Sequence, residues 1–111
     1  MKMKTSELTG AALDWAVAKC EAPVGGYKAW VQADLDKGLL HGMRYSSDWL
    51  WGGPIIEREY IQLTIDLGWI ATRKEGPAVS EEHGPTPLIA AMRCFVASHL
   101  GDEIELPEEL K

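Results

Sequence analysis

The chain has 111 residues, 46% of them hydrophobic and 25% charged, the composition of one soluble domain. At this length roughly 65% of the unfolded chain's surface can be buried, enough for a core without disulfide or metal staples. A net charge of −6, with an acidic tail from Asp102 to Glu109, disfavours nucleic acid as a partner, and no apolar run approaches the roughly 18 to 20 residues of a membrane span.

Met1 to Lys4 is basic, but the amphipathic sequence after it carries Glu7 and Asp14, so neither a secretory segment nor a transit peptide fits and the cytoplasm is the expected compartment. Thr9 is placed as an N-cap, with Leu8 before it and Leu13 after it in hydrophobic-staple positions. A helix follows from about Gly10 to Cys20, its buried face formed by Leu13, Ala16, Val17 and Cys20, with Asp14 and Lys19 left to water. Pro23 to Gly26 breaks the chain. Tyr27 to Lys37 then allows a second helix in which Val31, Leu35 and Leu39 fall four apart, while Leu39 to Tyr45 reads equally as a short extended piece.

In YSSDWLWGGPIIERE, residues 45–59, Ser46, Ser47 and Asp48 are capping residues. The Gly52-Gly53-Pro54 step reads as a further helix start, with Pro54 at the first helical position and the helix running to about Glu59. The β-branched Ile55 and Ile56 keep an extended segment open as the alternative. Tyr60 to Ile65 alternates with period two, Asp66-Leu67-Gly68 has hairpin length, and Trp69 to Arg73 alternates again, which together predict a hairpin. Lys74 to Pro85 reads as a loop with room for a short third strand around Ala78 and Val79.

Gly84 to Gly101 holds the best-specified element, a helix over Pro87 to Leu100. Thr86 is its N-cap, Pro87 sits where a missing N–H costs little, and Gly101 can take a positive φ just past the end. Leu88, Met92 and Phe95 follow one face, with Ile89, Val96 and Leu100 beside it. After it Ile104 and Leu106 alternate with Glu103 and Glu105, a short extended tail with its apolar side docked and Leu110 as an end anchor. Cys20 and Cys94 lie far apart, outside any CxxC or Cys/His cluster, and read as reduced core residues. The expected fold is therefore α+β in one domain over residues 1–111. A small antiparallel sheet, the hairpin at about 60–65 and 69–73, is packed by helices at about 10–20 and 87–100 in an α-β-α sandwich.

Three blocks in order, TSELTGAALDWAVAKC, then YSSDW with GGPIIERE, then GPTPLIAAMRCFVASHLGDE, resemble the small NinX-like proteins of tailed phages and prophages, a family of unknown function. More distantly, a helix, YSSD, a hairpin and a late Thr-Pro helix bearing an Arg are similar to the phage α-β-α sandwich domain. The resemblance implies a phage or prophage accessory protein in the bacterial cytoplasm with an α+β fold.

No phosphate loop, GxSxG, HExxH or EF-hand pattern is present, and His41, His83 and His99 have no spacing that places two on one helical face, so neither a metal nor a cofactor is expected. Arg93 is the most interesting polar residue. The simpler reading packs its stem and pairs its head with Asp48, Glu57 or Glu59. The sharper one has Tyr45, Ser47, Asp48, Arg58, Thr86 and Arg93 converge at helix N-termini on a small, nucleotide-like anion, although capping explains Ser47, Asp48 and Thr86 without a ligand. Trp30, Trp49 and Trp51 exceed what a hairpin and two helices need and read either as interface anchors or as lids on the open ends of a small core. These readings favour a non-enzymatic protein working through contacts with a phage or host protein, with homodimerisation through the hairpin edge or the tryptophans as one form. Small-ligand binding is the alternative. An enzyme comes third, because Asp48 and Glu57 have no evident catalytic partner.

Overall fold

The computed structural model describes residues 1–25 and 27–110; Gly26, the last residue of the expected break, lies outside them. The helix that starts at Thr86 is the packing centre. Thr86 accepts a hydrogen bond from the Ile89 N–H at 3.1 Å, Pro87 opens α4 (Pro87–Leu100), and Gly101 ends it at φ 86°. An unbroken run from Ala90 to Val96 is buried, so α4 is covered on more than the one stripe a surface helix buries. Its main neighbours are β3 (Trp69–Glu75), β4 (Ala78–Gly84) and α1 (Gly10–Glu21). The fold is α+β, as composition and periodicity imply, with the antiparallel sheet packed against α4 and α4 in turn against α1.

The sheet is an antiparallel meander. β2 (Gln62–Ile65) pairs with β3 from Gln62 opposite Thr72 to Ile65 opposite Trp69, around the expected Asp66-Leu67-Gly68 turn. β3 then pairs with β4 from Trp69 opposite Gly84 to Glu75 opposite Ala78. The short third strand that the Lys74 to Pro85 loop left room for around Ala78 and Val79 is thus a full strand over Ala78–Gly84. Its polarity has a simple cause: only one face of the sheet meets α4, so Val79, Glu81 and His83 are exposed while Ser80, Glu82 and Gly84 are half-buried. The legible signal was the two-residue Gly76-Pro77 connection, with Gly76 at φ 59° in the first central position of a II′-type hairpin turn.

α1 begins after Thr9 as expected, and Leu8 and Leu13 are both fully buried, although the Thr9 side chain makes no capping bond. Asp14 does not stay in water. It is 7% exposed and accepts the Ser46 N–H at 2.7 Å, which ties the Tyr45–Ser47 turn to α1. α2 (Ala29–Asp36) is the shorter core of the second expected helix. It buries Leu35, whose carbonyl accepts from Trp15 Nε1 at 2.5 Å, half-buries Val31 and leaves Leu39 exposed. The stretch to Tyr45 forms no strand.

α3 (Trp49–Arg58) starts five residues before the expected Pro54. Asp48 caps it by accepting the Leu50 N–H at 2.9 Å, and Pro54 sits inside the helix. A carboxylate with a free N–H in reach outcompetes a Gly-Gly-Pro step as the start. Gly52 serves packing instead: a Cβ there would stand 2.5 Å from the Tyr45 carbonyl oxygen and 2.6 Å from Leu88 Cδ2.

The tail docks as expected and does more. β5 (Glu103–Glu105) pairs antiparallel with an unanticipated N-terminal strand β1 (Lys2–Lys4), setting Lys2 opposite Glu105 and Lys4 opposite Glu103. Ile104, Leu106 and Leu110 are buried beneath it.

Candidate functional site

The six residues expected to converge occupy three different places. Ser47 and Thr86 share a surface depression of about 310 Å³ with Trp49 and Leu88, where the starts of α3 and α4 come side by side. Both caps are in use there. Asp48 holds Leu50 N–H with one oxygen and Arg44 Nη2 with the other at 3.1 Å, and Thr86 is taken by Ile89.

Tyr45, buried in the turn before α3, and Arg58, exposed at the end of α3, are both engaged elsewhere. The Tyr45 hydroxyl bonds the Tyr27 hydroxyl, and its ring meets Trp51 edge-on at 5.2 Å. Burial first, then the Tyr27 hydroxyl, push its pKa well up, so it stays a phenol. Arg58 makes a bidentate pair with Glu21 at 2.5 and 3.1 Å, holds Glu59 through Nε at 2.8 Å, and lies 5.7 Å from the Phe95 ring centre. Glu59 also takes Arg73 at 2.8 Å and has His99 at 3.6 Å. Burial alone would raise the Glu59 carboxyl, but Arg58 and Arg73 together hold it below its ordinary value. This network of Glu21, Arg58, Glu59 and Arg73 joins α1, α3 and β3. Sequence reasoning singled out Arg58, and Glu59 only as a partner for Arg93, because Glu21 and Arg73 reach them through tertiary packing; the adjacency of Arg58 and Glu59 was the one local hint.

Arg93 stands apart from both groups. It is 9% exposed, and its guanidinium donates from Nε to the Leu8 carbonyl and from Nη1 to the His83 carbonyl, each at 2.8 Å. The expected pairing with Asp48, Glu57 or Glu59 is absent, and no carboxylate among the described residues lies within ion-pair distance of it. Burial lowers its pKa while the charge of Glu82 works the other way. Arg93 lines a hollow of about 460 Å³ between Ser6, the β2–β3 turn, the end of β4 and Pro85.

The tryptophans divide. Trp51 is half-buried against Tyr45, Trp30 is 59% exposed with its ring edge-on to His41 at 5.2 Å, and Trp49 is 52% exposed. Beside Trp49 stand Leu50, 81% exposed, and a second depression of about 710 Å³ floored by Pro54 and Ile56. The thiols are quiet: burial and then the charges of Glu21 and Glu59 push Cys20 to about 12, and burial and then Glu82 push Cys94 to about 11.

A family model described as Bacteriophage P22, NinX matches residues 4–99. The chain belongs to this family. The NinX span runs from the end of β1 to the last turn of α4, so it takes in Arg93 and its hollow, the ion-pair network and the Trp49 ridge, and stops before β5. No match was found among curated proteins.

Proposed function

We propose that this NinX-family chain is a phage accessory protein that works by binding another protein through the apolar ridge at the start of α3. The observation that carries this reading is Trp49, half out of the surface beside the 81% exposed Leu50, with a depression on either side of it. A folded chain gains nothing from holding these two side chains in water. A partner that covers them gains about 25 cal/mol for each Å² of apolar surface removed, and half-exposed tryptophans beside pockets are the usual anchors of such contacts. The Asp48 cap holds the backbone of the ridge in place, so less is lost in ordering it. Binding fits the remaining chemistry better than catalysis does, because Glu21 and Glu59 are pinned by arginines and both thiols are held protonated.

The test is capture from phage-infected cells with tagged wild type and a Trp49→Ala, Leu50→Ser double variant, followed by the mass of each purified species in solution. The expected result is one protein retained by wild type, or a second copy of the chain, and lost from a variant that melts within a few degrees of wild type. Equal retention by both proteins would remove the ridge from the proposal.

A further inference from the structure

The hollow beside Arg93 is independent of the α3 ridge, and the geometry points to it as a binding site for a small organic carboxylate, a single negative charge carried on a flat apolar body. An arginine that is more than nine-tenths buried ordinarily sits against a carboxylate, since a buried cation without a counter-charge is costly. Here two backbone carbonyls take Nε and Nη1 and fix the plane of the group. Nη2 has no partner among the described residues and is not sealed off as a buried unsatisfied atom, so it is the end left for the hollow that Arg93 lines.

The walls define the rest of the ligand. Trp69 and Pro85 supply apolar surface for a flat group, and Ser6 supplies a hydroxyl. Glu82 limits the charge. It lines the same hollow, and its charge acts on Arg93. One guanidinium sharing the hollow with this acid suits one negative charge and disfavours two, which selects a carboxylate over a phosphate dianion.

Amide and side-chain NMR titrations with benzoate, benzamide and inorganic phosphate test the assignment. Benzoate is expected to shift the Trp69 indole, Ser6, His83 and the Arg93 guanidinium together, with benzamide and phosphate at least several-fold weaker. Arg93→Gln should lose about tenfold or more of the benzoate affinity, as expected for a charge-assisted hydrogen bond. Glu82→Gln, which leaves the arginine and its carbonyl partners in place, should strengthen binding by about threefold through removal of one like charge. Equal shifts from benzoate and benzamide, tighter binding of phosphate, or no strengthening in Glu82→Gln would each overturn the proposal, and the last holds even if Arg93→Gln fails to fold. An Ala-Ala-Phe peptide with a free C-terminus, run beside its amide, separates two sources of the carboxylate. Tighter binding than benzoate assigns a chain terminus, and weaker binding assigns a free organic acid.

Discussion

Asp14 carries the clearest conflict between local pattern and final environment. On a helical wheel it belongs to the polar side of α1, yet the Tyr45–Ser47 turn folds over it and gives it the Ser46 N–H at 2.7 Å. Burial raises its pKa above the ordinary 3.8, outweighing the lowering by the bonds to Ser46. A folded-state value above the unfolded one means that the native chain holds the proton longer. The associated stability is present in full below the unfolded value and is lost as pH rises through the folded one. Asp14→Asn keeps an acceptor for Ser46 and has no charge to bury, so at pH 7 its urea midpoint should exceed wild type, with the gain gone by pH 3. Asp14→Ala removes the acceptor and should cost about 1–3 kcal/mol. Equal pH profiles for Asn and wild type would show that the carboxyl is not differentially protonated.

At the scale of elements, two glycines separate a steric requirement from a conformational one. Gly52 lies where α3 touches the Tyr45 carbonyl and Leu88, and Gly52→Ala would place a methyl within 2.6 Å of both. Overpacking of this kind costs about 1–3 kcal/mol and should also disturb the Thr86 end of α4, visible as faster exchange of the Ile89 amide. Gly76 faces open space, so Gly76→Ala tests only the positive φ of the β3–β4 turn. It should cost roughly 1 kcal/mol with no change in the rest of the sheet. Denaturant midpoints rank the two; a larger loss at Gly76 would mean that the turn, and not helix packing, limits stability. The same turn explains why β4 looked like a loop: its chemistry is set by lying half in solvent, and only the two-residue connection marks it as a strand.

For the whole molecule, the closure of the N-terminal strand onto the tail matters most. Thr5 N–H reaches the Asp102 carbonyl at 2.8 Å, Leu106 N–H reaches that of Met1 at 2.8 Å, and the Thr5 hydroxyl bonds the Gly101 carbonyl at 2.6 Å. Ile104→Ala leaves a void under this two-stranded sheet and should cost about 2–4 kcal/mol, with exchange at the Thr5 and Leu106 amides accelerating more than in α4. Uniform acceleration would show that the strand pair and the helix unfold as one unit. The closure also sets the Arg93 hollow, because the backbone that follows β1 supplies both the Leu8 carbonyl and Ser6.

The sequence alone determined the elements whose signals are local: Thr86 and Pro87 starting α4, the period-two hairpin around Asp66 to Gly68, the Leu8–Leu13 staple and the alternating tail. Each depends on residues within a few positions of one another, so the chain carries its own instruction. What only the tertiary structure decided depends on partners far apart in sequence. The N-terminal strand found the tail, Glu21 and Arg73 joined Arg58 and Glu59, and Arg93 found carbonyls instead of a carboxylate. Burial and long-range pairing set those outcomes, and neither has a period that can be read along the chain.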